Sequence, residues 1–440
     1  MSAVTRPSND PLIHHWMPFS GNRQFQEQPR MIARAEGVYY YNTRGEKLLD
    51  GSSGLYCIPL GHGRPEIREA VAKQMEELDY APPFQYGVPT AFRLATEVAQ
   101  MTPAGLNRVF FSCSGSEAVE SALKVAIQYH RARGEGHRVR FVGRERGYHG
   151  VNFGGMSVGG MGPNRKAFGT GIPGVSHLRH THIKENFFQM GEGEHGADLA
   201  DDLERYAALH GGDNIAACIV EPIAGSTGIL VPPKGYLRRL REICDKHGIL
   251  LIFDEVITGF GRTGEAFASQ TFGVTPDIMT MAKAITNGSI PMAAIAVKDE
   301  IQQAIFDAAP EGGIEFYHGY TYSAHPAACA AGLATLKIYR EEGTFDRVKS
   351  LTPAFLEQVG GFKGMDGVVD TRGYGLLGAV ELAPQGKPGA RGFKILCKAF
   401  EQGLVLRAAG DSLVLAPPFS ATPDQISEMI EIIRKLIKEN

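Results

Sequence analysis

The sequence predicts an α/β protein whose main sheet is largely parallel. Two observations carry this prediction. The middle of the 440-residue chain contains short apolar runs that end at polar or glycine-rich turns, and helical patterns lie between several of these runs. Strands that are apolar throughout are typical of sheets covered on both faces, and alternating strands and helices favour parallel pairing. The runs are, in order, RVFF, VRFVG, IAACIV, ILLIF and DIMTMA.

Other elements follow from local patterns. The N-terminal segment contains the strand-like runs GVYYYN and KLLDG. A helix is expected over Gly235–His247, because its apolar residues recur at helical spacing on one face. Those residues are Leu237, Leu240, Ile243 and Cys244.

The pattern of predicted helices and strands changes after about residue 330. Long helical patterns alternate there with isolated strand-like runs such as GLLGAVEL and SLVLAPP. The last helix has a clear start, since Thr422 can cap it, Pro423 suits its first position and Gln425 completes a capping box.

We expect two domains. Residues 60–329 would form a large α/β domain, and residues 330–440 a smaller C-terminal domain. The N-terminal segment, residues 1–59, would contribute part of the smaller domain, which is then an α+β unit built from both ends of the chain.

Composition excludes several classes of function. The chain is 43% hydrophobic and 21% charged, with a net charge of −3 and no long basic run. Nothing therefore indicates binding to nucleic acid or to an anionic membrane. The N-terminus lacks the layout of a signal peptide, no apolar run is long enough to span a bilayer, and the six cysteines are scattered singly. These features predict reduced, mostly buried thiols in a cytoplasmic protein.

Two acids follow the apolar run ILLIF directly. In an open α/β sheet, ligands bind beyond the carboxyl ends of the strands, so Asp254 would lie at the floor of a cleft. A carboxylate in such a place is costly unless a cation or a hydrogen-bond donor meets it. Asp254 is thus a candidate binding residue, although a helix N-cap or a structural ion pair explains the pattern equally well.

Polar residues also follow the other predicted strands. If these strands are parallel, their carboxyl ends share one edge of the sheet and the polar residues converge there. This convergence is more informative than any single motif. The residues are Ser114, Gly115, Ser116, Tyr148, His149, Glu221, Asp254 and Lys283.

The segment Ser114–Ser116 precedes a helix that is expected from about Glu117. Free N–H groups and the positive end of a helix dipole bind phosphate, and glycine allows the backbone to approach closely. The alternative is that Ser116 is simply the N-cap of the helix.

Lys283 has small or apolar neighbours, which would desolvate its amine and lower its pKa. Such a lysine can form an imine, although many lysines after apolar runs are solvated strand ends. A phosphate cup, an acid, a lysine and an aromatic ring are together what pyridoxal 5'-phosphate requires. Asp254 beside the protonated pyridine nitrogen would keep the ring able to accept electrons.

Several motifs resemble those of the class III, fold-type I aminotransferases. The motifs are LLIFDEVITGFGRTG, MAKAITNGSIPMAA, GSEAVESALK, RGYHG and HGYTYSAHP. The resemblance covers nearly the whole chain and is greatest to the ω-amino acid (β-alanine):pyruvate transaminases. It implies a seven-stranded, mainly parallel sheet in the large domain, and transfer of an amino group from an ω-amino acid or primary amine to pyruvate through pyridoxamine phosphate.

The resemblance also implies roles for single residues. Lys283 would be the imine-forming lysine and the base that moves the proton, and Asp254 would pair with the pyridine nitrogen. Gly115 and Ser116 would bind phosphate. The remaining roles complete the cofactor site: Tyr148 and Val256 would pack on opposite ring faces, Glu221 would support the Asp254 side, and Thr321 would reach the phosphate of a neighbouring subunit. The last role requires a homodimer with shared active sites, and such dimers can pair into tetramers.

Substrate residues are implied in the same way. Arg407 matches a mobile arginine that receives the α-carboxylate, and RAAGDS places it on a flexible strand-to-loop segment. Phe19, Phe84 and Tyr86 match pocket aromatics, the latter two from the partner subunit. Tyr56 stands where relatives often have tryptophan, so the preferred amine is open.

Other functions that the sequence could suggest have weaker support. The histidines of HLRHTH, at positions 177, 180 and 182, lack an established zinc spacing and are expected at the surface. SCSGSEA is not the glycine pattern of a nicotinamide dehydrogenase. A class III enzyme with 2-oxoglutarate as acceptor, a decarboxylase or an aminomutase would share the cofactor residues and stays open.

Overall fold

Three sheets organise the part of the chain that the computed structural model describes, residues 11–169 and 171–440. The strands are β1 (Ile32–Glu36), β2 (Tyr39–Asn42), β3 (Lys47–Asp50), β4 (Arg108–Ser112), β5 (Arg140–Arg144), β6 (Val175–Leu178), β7 (Ile215–Val220), β8 (Leu250–Asp254), β9 (Ile278–Met281), β10 (Ala293–Val297), β11 (Val368–Tyr374), β12 (Leu377–Leu382), β13 (Leu404–Val405), β14 (Arg407–Ala409) and β15 (Ser412–Leu415).

The helices lie before, between and after these strands. They are α1 (Asn22–Glu27), α2 (Ser53–Tyr56), α3 (Pro65–Glu77), α4 (Pro89–Met101), α5 (Gly115–Ala132), α6 (Phe153–Val158), α7 (Gly162–Phe168), α8 (Asp202–His210), α9 (Tyr236–His247), α10 (Ala268–Thr271), α11 (Asp299–Asp307), α12 (Pro326–Glu341), α13 (Thr344–Gly360), α14 (Ala390–Glu401) and α15 (Pro423–Glu439).

The central sheet has seven strands in the order β4-β10-β9-β8-β7-β5-β6. Its pairs from β9 to β6 are parallel, whereas β10 runs antiparallel to both β9 and β4. The predicted α/β fold with a mainly parallel seven-stranded sheet is confirmed. The antiparallel strand places the N-terminal end of β10 beside the carboxyl ends of β4 and β9.

Both faces of this sheet are buried. Ile252 packs into the same cluster as Ala122 of α5, while Leu251 and Phe253 pack on the other face with Leu240 of α9. Successive strand residues point to opposite faces, so an uninterrupted apolar run is what a doubly covered strand needs.

The remaining strands form two four-stranded sheets. One contains β1, β2, β3 and β13, and the other contains β11, β12, β15 and β14. The C-terminal runs GLLGAVEL and SLVLAPP form β12 and β15, which pair with each other. Val38 and Leu49 share a core with residues of α13 and α15. This shared core supports our proposal that residues 1–59 and 330–440 build one smaller domain.

Most predicted helix boundaries hold. The helix predicted over Gly235–His247 is α9, and Thr422 caps α15 in a capping box with Gln425. The helix expected from about Glu117 starts earlier, at Gly115, with Ser114 as its N-cap. Ser116 is therefore not an N-cap, because it already lies inside the first turn. Among the described residues, no helix combines the length and apolarity that a membrane crossing requires.

Candidate active site

A cavity of about 350 Å³ lies at the carboxyl-terminal edge of the central sheet. The segments that follow β4, β5, β7, β8 and β9 each contribute to its wall. All nine residues predicted to hold a cofactor from within one subunit line this cavity. They are Ser114, Gly115, Ser116, Tyr148, His149, Glu221, Asp254, Val256 and Lys283.

The N-terminus of α5 forms one end of the cavity. Ser114 Oγ accepts a hydrogen bond from Glu117 N over 3.2 Å. The N–H groups of Gly115 and Ser116 have no acceptor within the helix, because they belong to its first turn. A Cβ at Gly115 would lie 3.1 Å from both methyl groups of Val256, so glycine keeps this end of the cavity open.

Gly150 brings a second chain segment against α5. It has φ +94°, and a Cβ there would lie 2.5 Å from Ser116 Oγ. Val151 N donates to the same hydroxyl over 3.1 Å. The segment after β5 can lie this close to the helix only because residue 150 is glycine.

Asp254 lies at the cavity floor and is 5% exposed. Its Oδ2 accepts from His149 Nδ1 over 2.8 Å, and its Oδ1 accepts from Thr280 Oγ1 over 3.0 Å. In that tautomer His149 Nε2 carries no hydrogen, and this buried atom has no partner among the described residues. The site thus holds an oriented, buried carboxylate that can stabilise a cation.

Glu221 supports the same side of the cavity. Its carboxylate accepts from Tyr148 N over 2.9 Å and from Gly225 N over 3.1 Å. Burial and the nearby carboxylate of Asp254 raise the pKa of Glu221, while the hydrogen bond from Tyr148 N opposes this increase. Glu221 therefore fixes the backbone that presents the Tyr148 ring.

Lys283 follows β9 and lines the same cavity. Burial lowers the pKa of its amine, so a larger fraction is neutral at a given pH than for a solvated lysine. Its backbone has φ +52°, a left-handed conformation that costs a non-glycine residue about 1–3 kcal/mol. The reading of Lys283 as a solvated strand end is wrong.

The second acid of the DE pair has a different role. Glu255 is fully buried and accepts from Ala268 N, Ser269 N and Thr258 Oγ1. It caps the start of α10, so the N-cap alternative considered for Asp254 applies to its neighbour instead.

Arg407 and Tyr56 lie together beside the cavity. Arg407 Nη2 donates to Ser226 O over 3.2 Å, and its guanidinium carbon lies 5.8 Å from the Tyr56 ring centroid. Tyr56 is buried, has φ +64°, and donates through its hydroxyl to Gly225 O over 3.2 Å. Arg407 begins the short strand β14, is paired with Val414 and is followed by the turn at Gly410.

Comparison with known proteins gives concordant results. The aminotransferase class-III family matches residues 20–437. An omega-aminotransferase of Caulobacter vibrioides is 53% identical, covering 98% of this chain and 98% of its own. The beta-alanine–pyruvate aminotransferase of Pseudomonas aeruginosa is 48% identical, covering 96% and 95%. The crystal structure of an omega transaminase from Pseudomonas jessenii in complex with PMP is 33% identical and superimposes with a TM-score of 0.92 over 97% of this chain and 96% of that chain.

The chain belongs to the class-III aminotransferases. It is an aminotransferase, and pyridoxal 5'-phosphate is the cofactor of this class. The cavity fits this group. Free N–H groups at Gly115 and Ser116 suit its phosphate, the buried pair of Asp254 and His149 suits its ring nitrogen, and the amine of Lys283 suits its aldehyde.

Six predicted residues of this aminotransferase do not line its own cavity: Tyr56 and Arg407 lie beside it, and the other four are at the surface. Thr321, Phe19, Phe84 and Tyr86 are exposed, the last three at 75%, 52% and 71%. The segment before Thr321 is docked on α5, where Ser121 Oγ lies 2.8 Å from His318 Nε2. The roles assigned to these four residues stay predictions.

The three histidines of HLRHTH are half-buried, so their expected surface location is wrong. His177 Nε2 bonds Gly159 O, and His182 forms a triad with Asp370 and Glu381. Such triads can bind a metal ion, but Arg372 Nη1 lies 2.6 Å from both acids here. Its charge already occupies the position that a cation would take.

Sequence reasoning missed Thr280, which bonds Asp254 without lining the cavity, and several residues that do line it. Thr280 was detectable, because a polar residue inside the apolar run DIMTMA needs a buried partner. Cys57, Pro291 and Met292 line the cavity, and no local pattern indicated this. Met292 lies there because β10 is antiparallel, which is a property of the assembled sheet.

Proposed function

We propose that the protein transfers the amino group of an ω-amino acid or another primary amine of the β-alanine type to pyruvate. The names of the similar omega-aminotransferase and beta-alanine–pyruvate aminotransferase support this assignment. In the structure, the observation that carries it is Arg407, a cation beside the cavity. Within the described part of the chain, its side chain donates to a neutral carbonyl, that of Ser226.

When bound, pyridoxal phosphate supplies an aldehyde that condenses with amines and a ring that takes up electrons. The chain positions it. Gly115 and Ser116 would bind the phosphate, and Tyr148 and Val256 would pack on the ring faces. Asp254, oriented by Thr280 and His149, holds a negative charge where a proton on the ring nitrogen is stabilised.

Lys283 has two tasks in this proposal. Its amine would hold the cofactor through the aldehyde, and the same amine, when free, would carry the proton that moves from one carbon to another. Both tasks need the neutral amine, and burial favours that form by lowering the pKa of Lys283.

Arg407 would let one cavity accept two kinds of substrate. Pyruvate carries a carboxylate beside the reacting carbon, whereas a simple amine does not. A fixed, buried cation would penalise the apolar donor. Among the described residues, Arg407 donates a hydrogen bond to a carbonyl and pairs with no carboxylate. Exchanging this hydrogen bond for one to the carboxylate of pyruvate is therefore favourable.

Arg407→Ala tests the assignment. We expect the KM for pyruvate to rise about 10- to 100-fold, because a charged hydrogen bond contributes about 1.5–3 kcal/mol. The half-reaction with an aryl-alkyl amine should change much less. Equal damage to both half-reactions would show that Arg407 is structural.

An acceptor screen of the unmodified enzyme separates the alternatives. With β-alanine as donor, pyruvate should be the preferred acceptor. Preference for 2-oxoglutarate would indicate a different acceptor class, and release of carbon dioxide or an isomerised amino acid would indicate a decarboxylase or an aminomutase.

We also propose a homodimer with shared active sites. The positions of Thr321, Phe84 and Tyr86 outside their own cavity and at the surface support it. The cytoplasmic location predicted from the cysteines stays a proposal, supported by six free thiols.

A further inference from the structure

Two features define where the guanidinium of Arg407 rests. Its backbone is held in the hairpin of β14 and β15, where Ala409 is paired with Ser412. Its Nη2 donates to Ser226 O over 3.2 Å. The position of the side chain therefore depends on how far the hairpin lies from the loop at residues 225–228.

Arg372 contacts both the hairpin and the loop. It lies on β11 and is 5% exposed. Its Nη2 donates to Ser412 Oγ over 3.1 Å, and its Nε donates to Gly228 O over 2.8 Å. One guanidinium thus joins the hairpin that carries Arg407 to the loop that receives it.

Arg372 and Ser412 pack closely against the backbone of the loop at Gly228. Gly228 has φ +107°, and a Cβ there would lie 2.9 Å from Arg372 Nη2 and 3.0 Å from Ser412 Oγ. The space beside this backbone is filled by the guanidinium, so a shift of Arg372 moves the loop with it.

Charges hold Arg372 in place. Its Nη1 donates to Asp370 Oδ2 and to Glu381 Oε2, each over 2.6 Å. The loop is also held from its other side, since Arg146 Nη2 donates to Thr227 O over 3.1 Å and Thr227 Oγ1 donates to Arg146 O over 2.7 Å. A rigid, fully bonded cluster therefore sets the spacing.

We propose that Arg372 is a positioning residue for Arg407 and thereby sets recognition of the acceptor carboxylate. The inference rests on the proposed function, in which Arg407 binds that carboxylate. A charged hydrogen bond depends steeply on geometry, so a small displacement of the hairpin against the loop weakens acceptor binding without touching the amine donor.

Arg372→Lys is the direct test. Lysine keeps a positive charge between Asp370 and Glu381. Its ammonium group cannot also form the two hydrogen bonds that the guanidinium donates to Gly228 O and Ser412 Oγ. We expect the KM for pyruvate to rise about 5- to 30-fold, the effect of weakening one charged hydrogen bond. Turnover with propanal, an acceptor without a carboxylate, should change by less than about 2-fold on the same reasoning. Equal losses with both acceptors would overturn the inference.

Two further variants control for folding. Arg391 is also 5% exposed, and it donates to Gly367 O and Ala383 O instead of to the loop. Arg391→Lys should lower stability without changing the pyruvate-to-propanal ratio. Ser412→Ala removes the hydrogen bond between Arg372 and the hairpin and leaves every charge in place. It should raise the KM for pyruvate about 2- to 5-fold, as expected for the loss of one hydrogen bond. An unchanged ratio in Ser412→Ala would overturn the inference even if Arg372→Lys does not fold.

A double variant separates this inference from the proposed function. If Arg372 acts through Arg407, adding Arg372→Lys to Arg407→Ala should not raise the KM for pyruvate further. A further selective rise would overturn the inference. If Arg407→Ala alone has no selective effect, the proposed role of Arg407 is wrong. If Arg407→Ala is selective but Arg372→Lys and Ser412→Ala are not, only the role of Arg372 is wrong.

Discussion

At the scale of single residues, the chemistry depends on how burial changes acids and bases. Lys283 and Lys234 show the contrast. Burial lowers the pKa of Lys283, whereas a hydrogen bond to Glu194 raises the pKa of the fully exposed Lys234. The same functional group is therefore tuned in opposite directions by its surroundings.

This contrast predicts a pH dependence. Only the neutral amine reacts, and a lysine is neutral above its pKa. In the cofactor-free enzyme, labelling of Lys283 by acetic anhydride should therefore rise with pH through a lower midpoint than labelling of Lys234, measured for each peptide by mass spectrometry. A Lys283 midpoint equal to or above that of Lys234 would contradict the desolvation argument.

Asp254→Asn should abolish most turnover while the protein still folds. An amide keeps the size of the side chain but cannot stabilise a protonated ring nitrogen, and it forces His149 to change the bond it donates. We expect kcat to fall at least about 100-fold, in the range seen when one preorganised electrostatic group is lost.

The neighbouring acid is a matched control for that variant. Glu255→Gln removes a charge one residue away, where the carboxylate caps α10. It should lower the melting temperature and leave kcat within a few-fold of the unmodified enzyme. If instead Glu255→Gln were the inactive variant and Asp254→Asn the unstable one, the acid beneath the ring would be wrongly assigned.

At the scale of elements, the close packing of the segment after β5 against α5 shapes the phosphate end of the cavity. Gly150→Ala places a Cβ 2.5 Å from Ser116 Oγ. The clash must displace Ser116, so we expect the Kd for pyridoxal phosphate to rise at least about 10-fold, the effect of losing one charged hydrogen bond. Equilibrium dialysis measures this directly.

Gly134→Ala separates the clash from backbone strain. Gly134 follows α5 at its other end and also has positive φ, at +80°, but a Cβ there has no atom within 4 Å. Both variants carry the strain of a left-handed alanine, and only Gly150→Ala should weaken cofactor binding. Similar Kd values for the two variants would mean that phosphate binding at the N-terminus of α5 does not depend on Gly150.

The start of α5 shows which features a local sequence pattern can predict and which it cannot. The sequence predicted a helix after the SGS motif and a phosphate site at its start, and α5 begins there. It did not predict that Ser114, rather than Ser116, is the N-cap. Several serines in one motif can each cap a helix, and the choice depends on where β4 ends, which is set by its pairing with β10.

At the scale of the whole molecule, the proposed dimer can be tested by subunit exchange. Chains carrying Lys283→Ala and chains carrying Thr321→Ala are mixed. If Thr321 serves the partner's site, both lesions fall in one site of the heterodimer and the other site is intact. Because half of the dimers in a fully exchanged equal mixture are heterodimers, activity should then exceed that of the Thr321→Ala enzyme and approach about a quarter of the unmodified value.

A homodimer of each variant, treated in the same way, is the control for exchange itself. No gain in the mixture, with exchange verified by mass, would mean that Thr321 acts within its own chain. Recovery to about a quarter of the unmodified activity would support shared active sites, since half of the dimers are then heterodimers with one complete site each.

The sequence by itself determined five of the seven strands of the central sheet, its mainly parallel character and the chemical class of the site. An apolar run specifies burial on both faces, and a polar residue after it lies at the sheet edge, so Asp254 and Lys283 could be placed from local pattern alone. Only the tertiary structure decided the rest. It inserted β10 antiparallel, assigned capping to Glu255, and joined Arg372 to both Ser412 and Gly228. These contacts link residues far apart in the chain, and their geometry depends on how sheets and loops pack, which no local periodicity records.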